Sequence, residues 1–345
     1  MSGAAVANWL WAETPAARVA RLPLIPVALA YSATMRLRAA AYGRGWRATA
    51  PLPLPSVSVG NLAVGGAGKT PLAAWIAARY AARGLTPGIL LRGYGGDESL
   101  VLARLVPEAV VAADPDRVRG AAHAHNAGAQ VLVLDDAFQH LAVARDLNIV
   151  VVSAESIDAS PWTLPAGPWR ESRQALRRAD WLIVTRKRAS KEVAAECAER
   201  LTADRRLPSS VAHLALTGFE GLHSGDEQPL SALAGSRVVA AAGIADPVSF
   251  AAQLEALDAR VQLMPYQDHH AYAPADIDGL LRAGTRADYV VITEKDAVKL
   301  RGRWPRDASE PLVARVQVSW DRDGALLERA LDAASAREPL PRSPE

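Results

Sequence analysis

The sequence predicts an α/β protein: a mostly parallel sheet with helices on both faces, plus a second, smaller α/β domain. Three observations predict it. Short apolar runs alternate with helical stretches, the pattern of parallel strands joined by crossover helices. One run, Ser56-Val57-Ser58-Val59, enters a glycine-rich loop that opens directly into a helix. The alternation restarts after residue 205 with VAHLALTGFEGL, SRVVAAAGIADP, VQLMPYQDHH and ADYVVITEKDAVKL. Composition sets the bounds. A chain of 345 residues, half apolar and 22% charged, is globular and excludes a disordered, collagenous or multi-span membrane protein. A formal net charge of +2 is no nucleic-acid footprint, so no nucleic-acid partner is expected. A lone cysteine, Cys197, excludes a disulfide framework and fits a reducing compartment.

The chain divides into an N-terminal segment (1–50), a nucleotide-binding domain (51–205), a smaller α/β domain (206–335) and a tail (336–345) expected to be disordered. In the first segment, LPLIPVALAYSATM at 22–35 is too short for the roughly 20 apolar residues that span a bilayer. It is also a poor signal peptide, since Glu13 and Arg18 precede it and no small-residue cleavage site follows. Arg18, Arg21, Arg36, Arg38, Arg44 and Arg47 flank it, with Trp and Tyr near its ends. That pattern suits an amphipathic helix lying in the interface of an anionic membrane; a helix packed on the core is the alternative.

After a proline-rich joint comes VGNLAVGGAGKTP. Its Gly65, Gly66, Ala67, Gly68, Lys69, Thr70 and Pro71 sit between a strand and a helix. Glycines let the backbone wrap phosphate oxygens, and successive N–H groups at a helix N-terminus supply positive potential. Lys69 would reach the β and γ phosphates and the Thr70 hydroxyl would bind Mg²⁺, as in a P-loop NTPase. One departure is Ala63, where the strict pattern asks for glycine. The apolar run of QVLVLDDAFQH delivers Asp135 and Asp136 to the same sheet edge, where one carboxylate would hold Mg²⁺. Gln139 and His140 follow, able to position water, metal or substrate; a packing role for His140 is equally open.

Three more polar clusters close strand-like runs. RGYGGDE places Asp97 and Glu98 after a flexible glycine turn. PAGPWRES offers Arg170 as a cation for phosphate charge and Glu171 as a metal carboxylate. YQDHHAY carries Asp268, His269 and His270. Adjacent histidines on a strand face opposite ways, so a shared zinc is not expected, and a His supported by a carboxylate suits a proton acceptor.

Taken in order, VGNLAVGGAGKTP, LLRGYGG, GDE, DDAFQH, PAGPWRES, DHHAY and TEKDAVKL resemble the tetraacyldisaccharide 4'-kinase family of lipid A biosynthesis, from about residue 9 to 300. The resemblance implies transfer of the ATP γ-phosphate to the 4'-hydroxyl of an acylated glucosamine disaccharide 1-phosphate, giving lipid IVA. It further implies ATP and Mg²⁺ as cofactors, and peripheral or monotopic residence at the cytoplasmic face of the inner membrane. A monomer is expected. Carried over by position, Asp97 and His269 are the pair that activates the sugar hydroxyl, Asp135 and Asp136 the metal-side pair, and Arg170 and Glu171 the contacts near the γ-phosphate. Here Gly96 and Asp97 are adjacent, whereas family members carry an additional stretch between RGYGG and GDE. Two rival readings remain at this level: a nucleotide-hydrolysing switch or chaperone-type protein, and a catalytically weakened membrane-binding homologue.

Overall fold

The computed structural model describes residues 3–93, 96–156 and 160–337. Tyr94 and Gly95 of the RGYGG turn and residues 338–345 of the tail lie outside that description. The N-terminal segment forms α1 (Gly3–Trp11), α2 (Pro15–Ala20) and α3 (Ile25–Gly43). Then come β1 (Ser56–Asn61), α4 (Lys69–Ala82), β2 (Pro87–Leu91), α5 (Asp97–Leu105), β3 (Val110–Ala113), α6 (Arg117–Asn126) and β4 (Val131–Asp135). β5 (Leu147–Ser153), β6 (Trp181–Arg186) and α7 (Lys191–Thr202) complete the first lobe's own run of chain. The remainder is β7 (Ser209–Gly221), β8 (Glu227–Gln228), β9 (Arg237–Ala242), α8 (Pro247–Glu255), β10 (Arg260–Pro265), α9 (Pro274–Gly284), β11 (Tyr289–Thr293), α10 (Glu294–Leu300), β12 (Leu312–Arg322) and α11 (Gly324–Ser335).

All described strands belong to one 12-stranded sheet, ordered β10-β9-β11-β12-β7-β6-β5-β1-β4-β2-β3 with β8 beside β7. Every pairing is parallel except β12 with β7 and β7 with β8. β1, β2 and β4 are buried along their whole length, which is why they read as continuous apolar or small-residue runs rather than alternating ones. Helices cover both faces, because a strand buried on both sides must hide two sets of side chains.

The two halves keep separate cores on this shared sheet. Leu72, Ile76 and Tyr80 of α4 pack on one face of the first lobe, and Phe138, Trp169 and Leu201 on the other. In the second, Phe250 and Leu254 lie on one face and Tyr272, Leu280 and Trp304 on the opposite one. The boundary differs from the sequence division in one respect. Helix α11, assigned by sequence to the smaller domain, returns to the first lobe: Leu327 and Leu331 join the cluster around α4, and the Tyr80 hydroxyl donates to Leu331 O at 2.9 Å. The reason is the β7–β12 pair, which runs antiparallel and so brings the chain back to where it left.

The N-terminal helices dock on the first lobe by few contacts. Among α3 residues only Ala28 is buried; its carbonyl accepts the Thr163 hydroxyl at 2.9 Å, and Arg38 donates to Gln139 O at 2.9 Å. Val19, Leu22, Val27, Leu29, Leu37 and Trp46 remain exposed. A core-packed helix would bury that set, so this part of the chain leaves several apolar side chains exposed. No described helix is long and apolar enough to cross a membrane.

Candidate active site

The carboxyl ends of β1, β2, β4 and β6 open onto a cavity of about 730 Å³ between the lobes, where ligands of open parallel sheets bind. Its floor is the glycine loop. Gly68 caps α4 with φ of 81°, in the left-handed region, and a side chain there would collide with Leu214 of the second half. Gly65 also takes positive φ, 125°. The N-terminal turn of α4 therefore lies on the cavity, and Pro71 falls in that turn, where a missing N–H costs nothing. Gly65, Gly66, Ala67, Gly68, Lys69, Thr70 and Pro71 all line the cavity.

Beside the loop stand the two aspartates. The Thr70 hydroxyl donates to Asp135 Oδ2 at 3.1 Å, while Asp135 Oδ1 is buried with no hydrogen-bond partner among the described residues. Burial, with Glu98 adding to it, pushes the Asp135 carboxyl up to about 6. Asp136 answers differently one residue on. Burial pushes it up as well, but Lys69 Nζ at 3.8 Å and Arg170 Nη1 at 2.9 Å from both carboxylate oxygens outweigh that and hold it below the usual range. Asp136 adopts φ of 50°, in the left-handed region that few non-glycine residues take.

The second half contributes the opposite wall. His269, also left-handed at φ 61°, lines the cavity and brings Nδ1 to 2.9 and 3.0 Å from the oxygens of Asp97. Asp97 is 4% exposed, and its carboxyl sits below the ordinary range: burial raises it, but His269 and Lys299 outweigh that. Asp268 lies 3.8 Å from His269 Nε2. The loop around this histidine is fixed by His270, whose Nε2 is 2.8 Å from Asp276 and whose ring stacks on Tyr266. Lys69 and His269, far apart in sequence, thus line one cavity.

Not every expected residue joins them. Arg170 and Gln139 line the cavity, Gln139 through an amide that donates to Asn61 O at 2.8 Å. Glu171 does not: Arg178 Nη2 occupies both its oxygens at 2.8 and 2.9 Å, so the carboxylate faces a guanidinium rather than Thr70 and Asp135. His140 is likewise absent from the wall, and burial followed by Arg117 and Arg145 depresses its pKa.

Sequence reasoning also passed over several wall residues. Lys187, just past β6, pairs with Asp246 at 2.8 Å, and both flank Gly66. Lys295 binds Glu98 at 3.1 Å, and behind the wall Lys299 lies 3.1 Å from Asp97. Tyr31 and Met35 of α3 reach the cavity rim. The signal for the lysines was present in TEKDAVKL, where positions 295 and 299 share a helix face. The partners of Lys187 and Tyr31 come from remote segments and carry no local signature.

Could this site hold a divalent metal? Thr70 and Asp135 supply hard oxygen donors, and the orphaned Asp135 Oδ1 is the kind of buried atom a cation satisfies. Among the described residues no group of three or more His, Cys, Asp or Glu forms a ready cage. Mg²⁺ fits that arrangement, since it is commonly held by one or two protein oxygens together with substrate phosphates and water.

Comparison with known proteins converges on one family. A family model described as tetraacyldisaccharide-1-P 4'-kinase matches residues 20–96 and 95–335, breaking where Gly96 and Asp97 meet. A tetraacyldisaccharide 4'-kinase of Anaeromyxobacter sp. (strain K) is 39% identical, with 99% of this chain and 98% of that one covered. The same enzyme of Geobacter sulfurreducens is 39% identical, over 89% of this chain and 91% of its own. Among solved structures, LpxK from Aquifex aeolicus in complex with ATP superposes with a TM-score of 0.72 at 27% identity, covering 91% of this chain and 99% of that one.

Proposed function

The chain belongs to the tetraacyldisaccharide-1-phosphate 4'-kinase family, and on that footing we propose that it transfers the γ-phosphoryl group of ATP to the 4'-hydroxyl of a tetraacylated disaccharide 1-phosphate, a step of lipid A biosynthesis. The observation that carries this reading is the meeting of two half-sites in one cavity: a phosphate loop with its aspartates on one lobe, and the Asp97–His269 pair spanning to the other.

On this reading each residue has a task that its position supports. Gly65 to Thr70 cradle the phosphates through backbone N–H groups, and Lys69 adds a mobile positive charge. Arg170, held against Asp136, places a fixed cation where charge grows in a loose phosphoryl-transfer transition state. Thr70 and Asp135 would hold Mg²⁺, which when bound offsets charge on the phosphates. Asp97 accepts from His269 Nδ1 and so leaves Nε2 free to take the acceptor hydroxyl's proton. Water exclusion follows from the cleft being walled by both lobes, which favours the sugar over water as acceptor.

The N-terminal helices belong to the same proposal. Their outward Val19, Leu22, Val27, Leu29 and Leu37, interspersed with arginines, suit the cytoplasmic surface of the inner membrane, where an acylated acceptor would reside. Tyr31 and Met35 on the cavity rim continue that apolar surface toward the reacting groups. A direct test is incubation of the purified protein with Mg²⁺, γ-labelled ATP and the disaccharide 1-phosphate. Label appearing in a bis-phosphorylated lipid is the expected result. A folded, ATP-binding protein that releases phosphate without labelling the lipid would overturn the reading in favour of a nucleotide-hydrolysing switch.

A further inference from the structure

Behind the Asp97–His269 pair lies a cation that does not reach the cavity. Lys299 Nζ is 3.1 Å from Asp97 Oδ2, the oxygen that also lies 3.0 Å from His269 Nδ1. The lysine side chain is 12% exposed and the aspartate side chain 4%. His269 and Lys295 line the cavity, whereas Asp97 and Lys299 do not, so Lys299 has no route to a bound phosphate.

Its position is set from both ends. Thr293 caps α10 by accepting from Asp296 N at 3.3 Å and donates its own hydroxyl to Asp296 Oδ2 at 2.6 Å. Buried Asp296 in turn accepts Gly243 N at 3.2 Å, tying the helix to the end of β9. On this anchored helix Lys295 and Lys299 sit four residues apart, on one face. They meet Glu98 and Asp97, neighbours in the first turn of α5. One strand-helix unit of the second lobe therefore organises the acids of the first.

We infer that Lys299 is the positioning residue of the Asp97–His269 pair: it fixes the carboxylate that orients the imidazole and offsets one of the negative charges crowded around it. Those charges are Asp97 and Glu98 from α5, the latter 4.0 Å from His269 Nε2, and Asp268 from the histidine's own loop at 3.8 Å. From α10 come Lys295, paired with Glu98, and Asp296, 4.0 Å from Lys299. Three carboxylates thus crowd one imidazole, and on the Asp97 side Lys299 is the cation that faces them. Lys299 offsets one of those charges from 3.1 Å, and its removal is expected to favour the protonated imidazole. The consistent observation is that the Asp97 carboxyl stays depressed despite its burial, with Lys299 among the causes.

The inference rests on the kinase reading, and two measurements separate the fates of the two. The first is the pH profile of kcat for wild type, Lys299→Met and Lys299→Arg at saturating ATP and lipid. Lys299→Met is expected to move the acid limb up by on the order of one pH unit, with KM for ATP within about twofold of wild type. Lys299→Arg keeps the charge and is expected to retain the wild-type limb. The second is an NMR titration of carbon-labelled histidines, with the His269 resonance assigned by His269→Asn. It follows proton uptake by the pair without turnover, and the same upward displacement is expected in Lys299→Met. A uniform loss of kcat with both limb and resonance unmoved would overturn the inference, as would equal displacement by Lys299→Arg. Should Lys299→Met fail to fold, Lys299→Gln carries the same expectations. Absent lipid phosphorylation by wild type with a displaced resonance in the variant would instead fault the kinase reading alone.

Discussion

The Thr70 hydroxyl donates to one oxygen of the Asp135 carboxylate at 3.1 Å, and among the described residues no hydrogen-bond partner reaches the other. A buried carboxyl so poorly solvated holds its proton, which is why its pKa rises to about 6, with burial the main cause. The consequence for stability has a definite sign. The unfolded chain releases this proton first, so the folded state loses stability as pH rises from near 4 through about 6. Without metal or nucleotide, in chelator, Asp135→Asn is expected to stabilise the protein above pH 7 by on the order of 2–3 kcal/mol while abolishing transfer. Thermal unfolding at pH 4.5 and pH 8 checks it: the variant's advantage must be larger at pH 8.

Loss of the proton acceptor should separate from loss of nucleotide contact. His269→Ala is expected to lower kcat by about 10²- to 10⁴-fold with KM for ATP nearly unchanged. Lys69→Met, which removes charge beside the transferred group, should lower kcat further than His269→Ala does in the same assay. Steady-state kinetics in ATP at saturating lipid decide the matter; a parallel rise in KM for His269→Ala would count against the assigned role.

The exposed apolar residues of the N-terminal helices make a prediction about surfaces rather than chemistry. Leu22→Glu together with Leu37→Glu, both residues exposed, should leave the melting temperature unaltered and reduce binding to anionic vesicles at least about tenfold. Vesicle flotation at two salt concentrations measures this. Equal flotation of variant and wild type would remove these helices from the membrane.

Glu155 offers a purely structural test. Its Oε1 accepts the N–H groups of Lys187, Arg188 and Ala189 at 2.7, 3.1 and 3.1 Å, and its Oε2 accepts the Ser153 hydroxyl at 2.6 Å. Burial pushes this carboxyl up, but those donors outweigh it and hold it below its ordinary value. Its contribution is therefore present above about pH 4.5 and is lost as pH falls through the depressed value. Glu155→Gln is expected to cost on the order of 2 kcal/mol at pH 7, and the gap in urea midpoints should narrow at pH 4. Because Lys187 stands beside Gly66, weaker ATP binding should accompany it.

Much of this was legible in the sequence where chemistry and backbone demand coincide. Gly65, Gly68, Lys69 and Thr70 could be read because a phosphate cradle needs their types at that spacing, between a strand and a helix. Asp97 and His269 became readable as a pair through resemblance alone, since they are 172 positions apart and no periodicity links them. Glu171 shows the limit: a carboxylate in the right motif was taken up by Arg178, a partner only three-dimensional packing reveals. The fused sheet was hidden for a similar reason. Strand runs on either side of residue 205 look like two independent units, and only the pairing of β6 with β7 joins them.

The return of α11 to the first lobe has a practical corollary. A fragment ending at the apparent boundary would strip Leu327 and Leu331 from the apolar cluster and take away the acceptor of the Tyr80 hydroxyl. It would also expose Trp75, whose ring packs edge-on against Trp320 at 4.9 Å between centroids. Holes of that kind cost about 2–5 kcal/mol for each large side chain, comparable to a whole domain's margin. The nucleotide half is thus finished last during synthesis, by residues emerging after everything between them, and neither half is a separable module.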